Sequence, residues 1–163
     1  MNDKLIFLDI DGVLNNSAMA YSMDFFKLIN DIETIHGGAR LSGVNIRNLN
    51  QLTDDTGAKI VISSSWRILS DLDELCDILG NAGVTGEIID ETPILSSLRG
   101  NEILQYINDN YSWEEQEKLK FVILDDDSDM LYWQRNNFFW CDPFCGLSPG
   151  IVYKATRFLN GID

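Results

Sequence analysis

The chain has 163 residues, 45% hydrophobic and 23% charged, a balance that suits one globular domain with a real core and excludes a disordered or fibrous class. A formal net charge of −14 disfavours stable binding to long nucleic acid, which needs basic surface, so no stable duplex binding is expected, yet it admits a short phosphate-bearing substrate at a metal-neutralised site. No apolar run approaches the ~20 residues of a membrane span.

The opening Met1-Asn2-Asp3-Lys4 shows no basic segment ahead of an apolar one, so a cytoplasmic location is expected. Residues 4–9 read as a short strand, apolar from Leu5 to Leu8, that runs into Asp9-Ile10-Asp11-Gly12-Val13-Leu14-Asn15. A buried strand that ends on two bare carboxylates needs a use for them. In extended chain, residues two apart point to the same side, and Gly12 permits a sharp turn beyond them.

Phe25, Leu28, Ile29 and Ile32 fall at helical spacing, with Asp24 as a cap and His36-Gly37-Gly38 as the stop. A second helix is predicted from about Ser42 to Thr56, with Ile46, Leu49 and Leu52 inward. Lys59 to Ser63 read as a strand that ends in Ser63-Ser64-Ser65-Trp66-Arg67. Leu72, Leu75, Cys76 and Leu79 mark a helix started by Ser70, with Asp73 completing a capping box. Glu87 to Ile89 make a short strand, and Arg99 to about Asn110 a helix with Ile103, Leu104 and Ile107 buried.

A turn or two of helix is expected over Trp113 to Lys118, then a strand, Lys120 to Leu124, that again ends on acids, Asp125-Asp126-Asp127. Phe138 to Trp140 suit an edge strand, and Ser148 to Leu159 a last helix with Ile151, Ala155 and Phe158 on one side. Cys76, Cys141 and Cys145 are sparse and odd in number, which suits packing in a reducing compartment better than disulfides or zinc. His36 is the only histidine, so no histidine-dependent triad is expected.

Strands alternating with helices imply an open parallel α/β sheet, and such sheets bind ligands at the carboxyl ends of their strands. The polar clusters at Asp9/Asp11, Ser63 to Arg67 and Asp125 to Asp129 all follow strand ends, so the fold class gathers them on one edge. Asp9, Asp11 and an acid from the run Asp125 to Asp129 supply hard oxygens suited to Mg²⁺, which also offsets their repulsion of a phosphate dianion. A carboxylate there can attack phosphorus, and a second can protonate the leaving oxygen. A serine hydroxyl and a cation, Arg99 or one of Lys118 and Lys120, would bind the phosphoryl charge.

Asp9-x-Asp11-Gly12-Val13-Leu14 after an apolar strand resembles the first motif of the haloacid dehalogenase (HAD) superfamily of phosphohydrolases. Ile60 to Arg67 resembles its second motif and Val122 to Asp126 its fourth. The stretches T-G-A-K-I-V-I-S-S-S-W-R, T-P followed by R-G-N-E-I, and I-L-D-D-D-S-D-M are similar to small HAD domains related to those of RNA-repair proteins. The likeness spans about residues 4 to 147 and keeps the motif order.

The resemblance implies a three-layer, Rossmann-like parallel sheet with helices on both faces. It implies one domain over residues 1–163, with a minimal cap at about 15–41 that leaves the site open. It implies Asp9 as nucleophile and Asp11 as general acid/base. Mg²⁺ would be held by Asp9, the Asp11 carbonyl and Asp126, with Asp125 and Asp129 as alternatives. Ser64, favoured over Ser63, and Arg99 would assist, and Gly12, Ser63, Trp66 and Arg67 would line the substrate. An open site suits a phosphorylated small molecule, a nucleotide or an oligonucleotide end. The competing expectations are a phospho-acceptor domain of receiver type and a HAD-like module that binds phosphate without turnover. A calcium loop at Asp125 is disfavoured, because its sixth and twelfth positions are Met130 and Asn136.

Overall fold

The computed structural model describes residues 3–17, 32–36, 39–95 and 98–162. Five strands form one parallel sheet: β1 (Lys4–Leu8), β4 (Lys59–Ile62), β5 (Ile88–Glu91), β6 (Lys120–Asp125) and β7 (Phe138–Trp140). Their order is β5-β4-β1-β6-β7. The chain builds leftward from β1 and then restarts on its right with β6, which puts the topological switch at the carboxyl end of β1. A separate antiparallel pair joins β2 (Ile32–His36) to β3 (Ala39–Ser42).

After Lys4 at its start, β1 is apolar and buried over Leu5 to Leu8 because both faces of the sheet are covered. On one face Ile6, Leu8, Ile60, Ile62, Val122 and Leu124 pack under α1 (Gly43–Thr56), α2 (Leu72–Asn81) and α5 (Pro149–Asn160). On the other, Leu5, Phe7, Val61, Phe121 and Ile123 meet Ile103, Tyr106 and Ile107 of α3 (Arg99–Asn110). A short α4 (Trp113–Gln116) leads into β6. Helix, sheet and helix make the three-layer α/β architecture that the alternation of elements implied.

Several local readings shift. Ile32, placed on a helix, opens β2 instead, and Phe25, Leu28 and Ile29 lie outside the described residues. Most of the expected cap, 18–31 and 37–38, lies outside them too. The start of α2 is capped by Asp71, which accepts from Glu74 N, not by Ser70, because Asp71 stands one residue closer to the first turn. In α3, Tyr106 rather than Leu104 joins the buried face. In α5 the inward residues are Val152, Ala155 and Leu159, while Phe158 packs edge-on against Phe139. That helix starts at Pro149 behind its cap Ser148, which sets the phase of its face.

Candidate active site

The sheet register explains how distant residues meet. Leu8 pairs with Ile62 on one side and Leu124 on the other. The residues that follow, Asp9, Ser63 and Asp125, therefore leave three adjacent strands side by side. Asp9 N donates to Leu124 O and Ser63 N to Leu8 O, each at 2.9 Å, so pairing continues into the site. All three are buried.

Asp9 Oδ1 accepts from Ile10 N at 2.8 Å. Burial pushes the Asp9 carboxyl above its ordinary value, with Arg99, the Ser64 hydroxyl and the Ile10 N–H opposing and Asp11 adding. Asp11 sits beyond it on the turn, exposed, and accepts from Asn15 Nδ2 at 2.6 Å and Trp66 Nε1 at 2.9 Å. Gly12 adopts φ +69°, and a Cβ there would lie 2.3 Å from Asp126 Cγ. The turn therefore needs glycine twice over: for its backbone and for the close approach of the second acidic loop.

After β4, Ser64 caps a 3₁₀ turn, Ser65–Ile68, by accepting from Trp66 N. Ser63 Oγ is buried with no hydrogen-bond partner among the described residues. Arg67 is buried beneath this turn. Its Nε donates to Thr92 O at 3.0 Å, Nη1 to Ser63 O and Ser64 O, and Nη2 to Pro93 O at 3.5 Å and to Glu102 Oε2. All five N–H groups are thus engaged inside the protein. Glu102 completes the network by accepting from Leu95 N at 3.0 Å. Burial pulls the Arg67 pKa down, and the Glu102 carboxylate opposes it.

Asp125 ends β6 with Oδ1 accepting from Asp127 N at 2.9 Å. Its Oδ2 is buried without a hydrogen bond among the described residues, and Arg99 Nε stands 3.3 Å away as an ion-pair partner. Arg99 Nη2 lies 3.9 Å from Asp9 Oδ1. Arg99 is held there because Asp129 Oδ2 accepts from Arg99 N at 2.8 Å, capping α3 from the loop after β6. Asp129 thus serves a helix end. Lys120 begins β6, and Lys118 precedes it, so both belong to the opposite edge of the sheet. There Lys4, Lys59 and Lys120 border a cavity of about 630 Å³, and Lys4 Nζ donates to Thr56 O at the end of α1.

One carboxylate oxygen each from Asp9, Asp125 and Asp126 can be chosen within 4.8 Å of one another. Burial first, then Asp9, pushes the Asp125 carboxyl from 3.8 up to about 8, against the Asp127 N–H and Arg99. Burial also raises Asp126. Three crowded acids with one orphaned buried oxygen fit a hard divalent cation. The Asp11 carboxylate and Asp129 stand outside this trio.

Between about pH 4 and 8 the folded protein holds a proton on Asp125 that the unfolded chain has released. Stability in excess EDTA is therefore expected to fall as pH rises through that window. Asp125→Asn should flatten the trend and raise the melting temperature at pH 8, checked by thermal melts at pH 5 and pH 8.

Two residues escaped the sequence reading. Asn15 closes the turn by accepting from Gly12 N at 2.9 Å while holding Asp11, and its signal was an Asn three residues after a Gly-containing turn. Glu102 is a buried acid in the first turn of α3, and its only signal was its place in R-G-N-E-I. Trp140, half exposed, donates from Nε1 to Asp126 O at 2.8 Å and braces the second acidic loop.

A family model described as the HAD domain in Swiss Army Knife RNA repair proteins matches residues 5–151. No curated protein and no solved structure matches the chain.

Proposed function

The chain belongs to the HAD domain family of Swiss Army Knife RNA repair proteins, a phosphohydrolase-type module, and from that premise we propose that it is a Mg²⁺-dependent phosphomonoesterase. The observation that carries the reading is the side-by-side exit of Asp9, Ser63 and Asp125 from three paired strands, with Arg99 against two of the acids. All 163 residues are proposed to form one domain with an open site.

Asp9 is the nucleophile: it is fixed by Ile10 N and Arg99, and its carboxylate would form an aspartyl-phosphate. Asp11 is the general acid and then the general base. Ser64 and Arg99 would bind phosphoryl oxygens, with Arg99 matching the charge of the transferring group. Asp9, the Asp11 carbonyl and Asp126, with Asp125 beside them, would hold Mg²⁺. When bound, the ion supplies charge neutralisation of the carboxylates and the phosphoryl group. Arg67 would act indirectly, by gripping the Ser63 and Ser64 carbonyls.

The family description supports a nucleotide or nucleic-acid end as the carrier of the phosphate, and a phosphorylated small molecule fits an open site equally. A net charge of −14 argues for contact with a strand terminus rather than with a long duplex. No described helix is long and apolar enough to cross a membrane.

The test is hydrolysis of 4-nitrophenyl phosphate with Mg²⁺ and with EDTA, followed by a panel of nucleotides and oligonucleotide 3′- and 5′-phosphates. Turnover that requires Mg²⁺ supports the proposal. A stable phospho-adduct without turnover would identify a phospho-acceptor domain instead, and phosphate binding alone would identify a non-catalytic module.

A further inference from the structure

Asp11 is an exposed side chain, yet both of its carboxylate oxygens are held. Asn15 Nδ2 donates to Oδ1 at 2.6 Å, and Trp66 Nε1 donates to Oδ2 at 2.9 Å. Neither donor is loose. Asn15 is pinned by Gly12 N, and Trp66 is 7% exposed within the core that includes Leu14 and Leu75. An exposed aspartate on a turn would otherwise sample several rotamers, and each reaction would have to order it again.

The donors have a further property. A carboxylate offers about four lone-pair positions, so two N–H groups fix its plane and leave room for a proton. An indole N–H donates only and never competes for that proton. The same arrangement therefore serves Asp11 with and without its proton.

We propose that Trp66, with Asn15, is a positioning residue that aims Asp11 at the leaving-group oxygen; this rests on the phosphatase reading above. In the first step an Asp9 oxygen bonds to phosphorus while the bond from phosphorus to the leaving oxygen breaks. The electron pair stays on that oxygen, and the Asp11 carboxyl proton moves to it. An alcohol leaves, and Asp11 remains as a carboxylate under its two donors. In the second step Asp11 takes a proton from water as the water oxygen attacks phosphorus. The bond from phosphorus to Asp9 breaks, and inorganic phosphate and both starting carboxyl groups are restored.

Positioning of a general acid shows in leaving-group dependence. Nitrophenolate departs without a proton, whereas an alkoxide does not. Trp66→Phe deletes the N–H and keeps most of the ring volume. Its kcat/KM, which reports the first step, is expected to fall about 10-fold or more for an alkyl phosphate such as glycerol phosphate, and less than about threefold for 4-nitrophenyl phosphate. Asn15→Ala removes the other donor and should give the same split; it carries the test if melting shows that Trp66→Phe does not fold. Equal losses on both esters would overturn the proposal, since general loosening of the site gives that pattern. No loss on either would overturn it as well. A wild-type protein inactive on both esters would bring down the phosphatase reading and this inference with it, a result told apart from the others by the wild-type rates alone.

Discussion

Asp9→Asn is expected to lower kcat for phosphomonoesters by at least about 10⁴-fold, because an amide cannot supply the attacking oxygen anion. The substitution is nearly isosteric. Its retained carbonyl oxygen still accepts from Ile10 N, so the strand end should keep its shape. It also removes one of three crowded acids, which relieves the repulsion that helps raise Asp125. The variant should therefore be dead and at least as stable as the parent. Stopped-time assays with 4-nitrophenyl phosphate, beside a melting curve, separate these two effects. Turnover that survives in the variant would sink the aspartyl-phosphate mechanism, whatever the stability.

The second large effect concerns stability. Arg67→Met is expected to cost about 3–5 kcal/mol, read as a shift of the urea midpoint. The guanidinium is the hub of a buried network, and its loss strands the Glu102 carboxylate and leaves the carbonyls of Ser63, Ser64 and Thr92 without that donor. Against a typical total of about 5–15 kcal/mol, that is a large share. Adding Glu102→Leu should recover much of the loss, because two apolar side chains need no partners where one lone charge does. A double variant no more stable than Arg67→Met would show that the carbonyl contacts, not the ion pair, dominate. Either variant should also reduce turnover, since Arg67 braces the loop that presents Ser64.

The parallel α/β class, the five sheet strands and the helices from Gly43 to Asn160 were legible because each carries its own periodicity and stop signals. Ile32 to His36 was misread because its apolar spacing fits a helix face as well as a strand, and pairing with Ala39 to Ser42 decided the matter. The cap of α3 was not legible at all. Its donor and acceptor, Arg99 and Asp129, are joined across the top of the sheet, and no local rule relates them.

The sequence by itself determined which residue types are on offer: carboxylates after two apolar strands, hydroxyls after a third, and a motif order that matches the family's. Residue type and strand-end position suffice for this, since register carries neighbouring strand ends to one edge. Only the tertiary structure decided which cation stands beside the acids. Arg99 is brought to Asp9 and Asp125 by a helix cap, while Lys120 starts the very strand whose far end bears Asp125. It likewise showed Arg67 with every donor engaged inside the protein and Asp11 clasped by Trp66 and Asn15. Direction along a strand and the partners of a long side chain are three-dimensional facts, set by packing and by the need to satisfy every buried polar group.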